Sequence, residues 1–342
     1  MSKTSIAALC VLILLVAGAA IWFAANRNDT LRGIKLAIRL PSHREALVAQ
    51  CPTVRTLSNE EAAALPINLT QWGESNSRMV IIHGGVQGNL GGGPTTFAKQ
   101  EALAQQGWRL ILPDRPGFGK SPSRGPDDME GDAVWISDLL DGVVLVGHSF
   151  GGAEALLAAA RRPDGVQALV LVEPALHALL PRSETLQKNA RARRDFLKFG
   201  EATLASRSPA EYRLMFGRSL GAGTDAGPML ESDPDKARSL GCALLRARMA
   251  PPQTLRKAAE TLAQAKIPVL AISGGWSPTF DAIGEFAAKL TGGRFVVVPS
   301  PNHFPQLANA EAFNSTLLSF ANKHATGVHA AEGGANQIGH PK

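Results

Sequence analysis

The stretch that decides the fold reads Val143-Val144-Leu145-Val146-Gly147-His148-Ser149-Phe150-Gly151-Gly152. Its consecutive aliphatic residues are typical of a strand that is buried on both faces, as in a parallel sheet. The residues from Glu154 to Arg162 are strong helix formers, and Pro163 ends that helix. A strand that turns into a helix through Gly-x-Ser-x-Gly is the pattern of a nucleophile elbow, which holds its serine at the carboxyl end of the strand. The stretch therefore predicts Ser149 as a nucleophile.

Aliphatic segments on both sides of this elbow indicate an alternating α/β chain. Further strand patterns occur at Met79–Ile82, Arg109–Pro113, Gln167–Glu173, Ile267–Ser273 and Arg294–Pro299. Helical patterns such as Phe97–Gln106 and Phe280–Leu290 lie between them. Strands and helices in alternation, joined by right-handed crossovers, form an open, doubly wound and mostly parallel sheet. The predicted fold class is therefore α/β.

A long segment without a strand pattern interrupts this alternation. It extends over residues 175–265 and contains helical runs such as Ser183–Gly200 and Pro209–Phe216. A helical insertion at the carboxyl ends of two strands would cover the site, so we expect a cap there. Its larger apolar residues could line a pocket, although each one alone is better explained as cap core: Phe196, Phe199, Met215, Phe216 and Met249. The core is accordingly divided into residues 77–174 and 266–322.

The run from Ile6 to Ala25 contains no charged residue. At about 1.5 Å per residue, it is long enough to cross a hydrocarbon layer of roughly 30 Å. We expect residues 1–25 to form a membrane anchor, because Ile21-Trp22-Phe23 extends the run beyond a typical signal core. Cleavage of a signal peptide near Ala17-Gly18-Ala19 is the alternative. The positive charges after the run favour a cytoplasmic catalytic domain, whereas an export signal would place that domain outside, and both remain open.

The segments that flank the core are less regular. Residues 26–76 are predicted to be a linker followed by the first, antiparallel strands. Strand-like patches occur at Val54–Leu57 and Ile67–Trp72, and Asn59–Leu65 resembles a short helix. Residues 323–342 contain no hydrophobic periodicity, so we expect a disordered tail.

Charge and cysteine content exclude several functional classes. The net charge of +6 is scattered, and no Lys/Arg cluster is interleaved with aromatic residues, so nucleic-acid binding is not expected. Cys10, Cys51 and Cys242 lack the spacing of a structural zinc site. Cys51 and Cys242 could pair in an oxidising compartment, but we expect two buried free thiols. No metal or cofactor is predicted, and the oligomeric state stays open.

The core carries a set of motifs in a fixed order. They are His83-Gly84-Gly85, Asp114-Arg115-Pro116-Gly117-Phe118-Gly119-Lys120-Ser121, the elbow around Ser149, and Asn302-His303-Phe304-Pro305. This order, over about residues 78–322, resembles the α/β-hydrolase superfamily. The combination is specific for the fold and much less so for the substrate. The resemblance implies a cap-bearing, cofactor-free hydrolase with a serine nucleophile, and Ser149 excludes the Asp nucleophile of a dehalogenase or epoxide hydrolase.

The resemblance also implies roles for the residues around Ser149. A serine hydroxyl needs a base within hydrogen-bond reach, and His303 stands where the family carries its catalytic histidine. The oxyanion of a tetrahedral intermediate needs two donors, which would be the backbone N–H groups of Phe150 and Gly85. His148 is adjacent to Ser149, but strand geometry turns its side chain away, so we expect a structural role for it. His83 is expected to be a scaffold residue.

The acid that would orient His303 departs from the usual family pattern. That carboxylate commonly follows the strand that ends at Ser273, but the stretch reads Gly274-Gly275-Trp276-Ser277-Pro278, and no acid occurs before Asp281. Glu173 closes the preceding strand, and some family members place a glutamate there. Asp281 lies near the start of a helix, where a carboxylate has a simple capping role. We therefore predict Glu173 as the acid, with Asp281 as the alternative.

The predicted activity is hydrolysis of an ester-like bond in a small, fairly apolar substrate, through a Ser-His-acid triad and an acyl-enzyme. A carbon–carbon hydrolase, a lactonase or a perhydrolase would use the same residues. A non-catalytic, ligand-binding hydrolase fold is a further alternative, which the intact set of Ser149, His303 and Glu173 disfavours. The motifs leave the substrate itself open.

Overall fold

One sheet carries the sequence motifs at the carboxyl ends of its strands. In this computed structural model, which describes residues 29, 31–33, 35–54, 57–85, 87, 91–221 and 232–325, seven strands form that sheet. They are β1 (Leu69–Trp72), β2 (Arg78–Ile82), β3 (Arg109–Pro113), β4 (Val143–His148), β5 (Val166–Val172), β6 (Val269–Ser273) and β7 (Arg294–Val297). Their spatial order is β1-β3-β2-β4-β5-β6-β7. Strand β1 is antiparallel to β3 and every other pair is parallel, which confirms the predicted α/β sheet.

Helices connect these strands. They are α1 (35–48), α2 (Asn59–Ala64), α3 (Gly93–Thr96), α4 (Met129–Asp138), α5 (Phe150–Arg161), α6 (Glu184–Lys188), α7 (Ala190–Ala205), α8 (Pro209–Ser219), α9 (Pro234–Arg246), α10 (Pro252–Gln264), α11 (Pro278–Thr291), α12 (Pro305–Ala308) and α13 (Ala310–His324). Short 3₁₀ segments lie at Ala98–Gln106, Pro163–Gly165 and His177–Arg182. The predicted helix at Phe97–Gln106 is thus a 3₁₀ segment, whereas the one at Phe280–Leu290 lies within α11.

The central strand β4 is buried along its whole length because both faces of the sheet are covered. Val143 and Leu145 point into a core with helices α4, α5, α10 and α11, and Val144 and Val146 point into the opposite core with α13. Successive side chains of a strand alternate between faces, so a continuous aliphatic run is what a doubly covered strand requires. Burial on both faces explains why this stretch was readable from sequence.

The chain between β5 and β6 forms helices α6 to α10, and no strand occurs among its described residues. Helices α8 and α9 pack tightly together, because a Cβ at Gly241 would overlap with the Pro209 carbonyl. Helix α10 packs on α5, and its Leu255 and Leu262 are buried in the same core as α5. Residues of α7, α8 and α9 line one cavity with Ser149 at the end of β4, so these helices lie over the sheet's carboxyl edge, whereas α10 belongs to the layer beside the sheet.

The predicted linker before the core is partly wrong, because residues 35–48 form helix α1. Leu36 and Leu47 of this helix are buried, and the Arg44 guanidinium donates hydrogen bonds to the carbonyls of Leu245 and Ala247. Tertiary contacts with the cap thus stabilise a helix that the local sequence does not mark. Only β1 is antiparallel among the described strands, and Val54 is not in a strand.

The prediction of two free thiols is wrong. Cys51 and Cys242 form a disulfide, with their Cα atoms 5.7 Å apart and a sequence separation of 191. The bond joins the segment after α1 to helix α9 of the cap. Around it, Arg238 donates to the Gln50 carbonyl and Arg246 to the Pro52 carbonyl. Sequence spacing alone could not indicate this pairing, because the two cysteines meet only once the cap has folded.

The ends of the chain bear on two further predictions. The predicted tail begins too early, because α13 continues to His324. The rest of that tail, from 326, and the predicted anchor at 1–25 lie outside the described residues. Within the ranges that the structure describes, every helix is too short or too polar to cross a lipid bilayer.

Candidate active site

Ser149 stands on the sharp turn between β4 and α5. Its backbone has φ 55° and ψ −120°, a conformation that side-chain-bearing residues rarely adopt. A Cβ at Gly147 would overlap with the Gly151 carbonyl, and one at Gly151 would overlap with the His83 carbonyl. The two glycines are therefore required by close backbone approach. The turn leaves Ser149 half-buried on the wall of a cavity, while its neighbours Gly147 and Phe150 are buried.

Glu173 and His303 form a buried pair beside this turn. Glu173 directly follows β5, and its Oε2 lies 2.9 Å from Nδ1 of His303. The same carboxylate accepts a hydrogen bond from the Gly274 amide at 2.5 Å and from Nε1 of Trp276 at 3.2 Å. An ionised carboxylate can accept all three of these hydrogen bonds when the imidazole carries a proton on Nδ1.

Burial governs the protonation of this pair. It lowers the pKa of His303 to about 3, so the imidazole is neutral at neutral pH. It also raises the pKa of Glu173 to about 8, while the donors on Gly274 and Trp276 act in the opposite direction. A neutral His303 whose Nδ1–H points at Glu173 presents the lone pair of Nε2 to the cavity. That nitrogen has no hydrogen-bond partner among the described residues. It is thus available to take a proton.

The alternative acid, Asp281, occupies a different environment. It lies in the first turn of α11, and its Oδ1 accepts a hydrogen bond of 2.5 Å from the Ser273 hydroxyl. Asp281 thus contacts the end of β6, whereas the carboxylate against His303 is that of Glu173. The geometry pairs Glu173 with the histidine, and the catalytic role of that pairing stays a prediction.

The two residues predicted to form an oxyanion hole also line the cavity. Phe150 is the first residue of α5, where a backbone N–H has no partner within the helix, and Gly85 has φ 100°. His83 holds the preceding loop: its Nδ1 lies 2.8 Å from the Gly84 carbonyl, and its Nε2 accepts from the Arg115 amide. Burial, together with the charge of Arg115, lowers the pKa of His83 to about 3, so it is a neutral scaffold residue.

The other predicted scaffold residue, His148, supports the histidine loop. Its Nε2 lies 2.8 Å from the backbone carbonyl of His303, and its ring contacts those of His303 and Phe304. Burial lowers the pKa of His148 well below its ordinary value, so its ring is neutral. The side chain thus supports the loop that carries His303.

A buried ionic cluster beneath the elbow was not predicted. Arg115 is fully buried and pairs with Asp127 at 2.9 Å, Glu154 at 2.8 Å and Asp132 at 3.6 Å. Its guanidinium lies 4.6 Å from the centroid of the Phe150 ring, and burial raises the pKa of the Glu154 carboxyl well above its ordinary value. The cluster fixes the start of α5. A single charged residue among otherwise apolar helix positions, Glu154 in α5, is the signal that could have found it.

The cavity above Ser149 has a volume of about 630 Å³ and mostly apolar walls. Four of the five predicted pocket residues line it, namely Phe199, Met215, Phe216 and Met249. The fifth, Phe196, packs against the hydrophobic core instead. The walls also include two residues that sequence reasoning did not single out, His177 and Tyr212. A cavity of this size accommodates a small organic substrate.

Comparison with known proteins agrees with the fold. A serine on a strand–helix elbow, a buried His-Glu pair at neighbouring strand ends and a helical cap together define a hydrolase of the α/β class. Residues 78–310 match the family described as alpha/beta hydrolase fold, and the chain belongs to that family. The protein is therefore an enzyme of the hydrolase type.

The chain is similar to several named enzymes and to solved structures. It is 30% identical over 226 residues to pimeloyl-[acyl-carrier protein] methyl ester esterase of Neisseria meningitidis serogroup B, covering 62% of this chain and 82% of the esterase. It is 46% identical over 72 residues to lipase LipV of Mycobacterium tuberculosis, covering 20% of this chain and only 28% of the lipase. The crystal structure of bromoperoxidase from Bacillus anthracis superposes with a TM-score of 0.53 at 23% identity, covering 76% of this chain and 97% of that one.

Proposed function

We propose that the protein is a serine hydrolase that cleaves an ester-like bond of a small, fairly apolar substrate. The observation that carries this proposal is the 2.9 Å contact between Glu173 and Nδ1 of a neutral His303, whose Nε2 faces the same cavity as Ser149. This arrangement supplies a nucleophile, a base and the group that orients the base. The esterase relative is consistent with it.

In the first half of the proposed reaction, Ser149 Oγ attacks the carbonyl carbon while its proton passes to Nε2 of His303. The amides of Gly85 and Phe150 donate to the oxyanion that forms. The carboxylate of Glu173 stabilises the imidazolium and stays ionised. The tetrahedral intermediate then collapses, the alcohol leaves with the proton of His303, and the acyl group remains on Ser149.

In the second half, water attacks the acyl-enzyme and gives one proton to Nε2 of His303. The second tetrahedral intermediate releases the carboxylic acid, and Ser149 recovers its proton. No electron donor or acceptor is needed, because the two halves exchange only an acyl group and protons.

The test of the proposal is covalent labelling together with turnover. We expect a fluorophosphonate probe to label wild-type protein and a series of p-nitrophenyl esters to be cleaved. Ser149→Ala should abolish both, with a loss in kcat on the order of 10⁶ for a nucleophile of this kind. Ser42→Ala is a matched control, because Ser42 is exposed and its hydroxyl only donates to the Arg39 carbonyl. Labelling of the folded Ser149→Ala variant would refute the assignment.

We further propose that residues 1–25 anchor the protein in a membrane and that the catalytic domain faces an oxidising compartment. The first half rests on the uncharged run from Ile6 to Ala25. The second is supported by the Cys51–Cys242 disulfide, because such bonds persist outside the reducing cytosol. N-terminal sequencing of protein purified from the membrane fraction tests the anchor. A mature start near Ala20 would indicate a cleaved signal instead.

A further inference from the structure

His177 lies on the cavity wall next to the proposed machinery, and the reaction proposed above does not use it. It starts the 3₁₀ segment that follows β5, four residues after Glu173. The segment is fixed near the elbow, because the Ala175 amide donates a 2.8 Å hydrogen bond to the Ser149 carbonyl. The imidazole is therefore held close to the site of the chemistry.

Aromatic rings hold the His177 ring in place. It stacks on Phe199 of the cap, with ring centroids 5.9 Å apart and an interplanar angle of 23°. It also meets the edge of Phe280 at 5.1 Å, and Phe280 in turn packs on the His303 ring at 4.5 Å. Two aromatic contacts restrict both the position and the tilt of the imidazole, so its nitrogens point in defined directions.

The hydrogen-bonding capacity of His177 is unused within the part of the chain that the structure describes. Its contacts are ring contacts, and neither ring nitrogen takes part in a hydrogen bond to a described residue. Two carboxylates of the same wall do have partners: Asp127 pairs with Arg115, and Asp195 accepts hydrogen bonds from Ser277 and Thr279. His177 thus offers a donor and an acceptor to whatever fills the cavity.

The imidazole is neutral when it does so. Burial, together with the nearby His303, lowers the pKa of His177 to about 4. A neutral imidazole has one N–H donor and one nitrogen acceptor, so it suits a hydroxyl or a carbonyl oxygen and gives no ionic attraction to a carboxylate. The side chains in contact with its ring, Phe199 and Phe280, are apolar.

We infer that His177 is a specificity-determining residue that hydrogen-bonds a hydroxyl or carbonyl oxygen carried by the substrate close to its scissile bond. This inference rests on the proposed ester hydrolysis and narrows its substrate class, from apolar esters in general to oxygenated ones. An imidazole held between aromatic rings favours such a substrate, because a substrate without this oxygen would leave the ring nitrogens of half-buried His177 without a partner.

The experiment compares matched esters on the full-length protein. Each member of the set carries one hydroxyl or oxo group, placed in turn at each carbon of the acyl or the alcohol part, and the reference is the unsubstituted ester. We expect at least one oxygenated ester to be preferred by about 3- to 10-fold in kcat/KM, the size of one neutral hydrogen bond. His177→Phe should reduce that ratio to about one. The ratio of two substrates on one preparation does not depend on the folded fraction.

Tyr212→Phe is the matched control, because it removes another polar group from the cavity wall and keeps the ring. We expect it to retain the preference, and His177→Asn, which keeps polarity but shortens the side chain, to weaken it. A wild-type enzyme without any preference, or a His177→Phe variant that keeps the preference, would overturn the inference alone. If no ester is cleaved and the fluorophosphonate probe does not label the protein, the proposed function is overturned, and this inference with it.

Discussion

Two side-chain-bearing residues of the site, Ser149 and Glu173, have positive φ values of 55° and 45°. Such conformations cost on the order of 1–3 kcal/mol each and persist where the surrounding structure enforces them. Both residues directly follow neighbouring strands, β4 and β5, whose ends are in register through His148 and Val172. The strained backbone takes the two residues out of the strand alternation: the Glu173 carboxylate contacts His303, and Ser149 lies on the wall of the same cavity. Local strain at these residues therefore builds the site.

The proposed acid can be tested against its alternative by two conservative variants. Glu173→Gln keeps the shape but removes the charge that stabilises the imidazolium, so we expect a loss of roughly 10³–10⁴ in kcat. Asp281→Asn leaves His303 untouched and changes only the contact with Ser273, so we expect at most about 1 kcal/mol of lost stability and little change in rate. Kinetics at matched folded fraction, measured by circular dichroism, decide between them. The reverse ranking would assign the role to Asp281.

The indole of Trp276 provides a pH-dependent test. Its N–H donates to Glu173 and stabilises the ionised carboxylate, which opposes the rise in the pKa of Glu173 caused by burial. Trp276→Phe removes that donor and retains a ring beside Phe280, so the pKa of Glu173 should rise further. Because the reaction needs ionised Glu173, kcat/KM should increase with pH, and its rising limb should move to higher pH in the variant.

Profiles of kcat/KM against pH for wild type and Trp276→Phe would show this shift. A limb that stays in place, or moves to lower pH, would mean that the indole does not act on the titrating group. Glu173→Gln is the control, because it removes the carboxyl and with it the limb.

At this scale the sequence was informative where a residue type is unusual for its position. A glutamate that closes an aliphatic strand needs a polar partner, so the sequence alone indicates a special role for Glu173. The sequence gives no comparable indication of a functional role for His177. A histidine beyond a strand end is unremarkable, and the aromatic residues that fix it, Phe199 and Phe280, come from distant parts of the chain.

Among the elements, the elbow depends on two glycines whose replacement should be destabilising. A Cβ at Gly147 would overlap with the Gly151 carbonyl and lie 2.7 Å from the Ala155 Cβ. We expect Gly147→Ala to lower the free energy of unfolding by about 1–3 kcal/mol, because β4 and α5 must move apart.

Gly33→Ala is the matched control for that substitution. Gly33 belongs to the helical residues 31–33 that precede α1, and its added Cβ would contact the Leu197 side chain at an ordinary distance of 3.7 Å. Alanine in a helix interior is favoured over glycine by about 1 kcal/mol, so this variant should be as stable as wild type or more so. Urea denaturation of both variants measures whether the free energy of unfolding falls in Gly147→Ala and stays level or rises in Gly33→Ala. Equal destabilisation would contradict the packing argument for Gly147.

The elements differ in how visible they are in the sequence. The central strands could be predicted because burial on both faces demands continuous aliphatic residues, as in β4. Helix α1 could not, because Pro41 lies within it and proline normally breaks a helix interior. Its stability comes from Leu36, Leu47 and the Arg44 contacts with the cap, which are tertiary. Local propensity is a weak guide where packing of this kind decides.

For the whole molecule, the disulfide should contribute to stability because it ties α1 to the cap. Removing a native disulfide typically costs about 2–5 kcal/mol. We expect the Tm of the wild type to fall on addition of a reductant. The Tm of the Cys51→Ser/Cys242→Ser double variant should be lower than that of the oxidised wild type and should not change with the reductant. Thermal unfolding with and without reductant measures both. If thiol labelling verifies that the disulfide is reduced and the wild-type Tm does not change, the bond does not contribute to thermal stability.

The pairing of Cys51 with Cys242 also sets an order of events in biosynthesis. The two residues are separated by 191 positions, so at about 5–20 residues per second Cys242 is made roughly 10–40 s after Cys51. During that interval the earlier thiol has no intramolecular partner in the cap, and its pairing must wait for α9. In a pulse–chase experiment, the shift from reduced to oxidised chain would therefore report when the cap is completed.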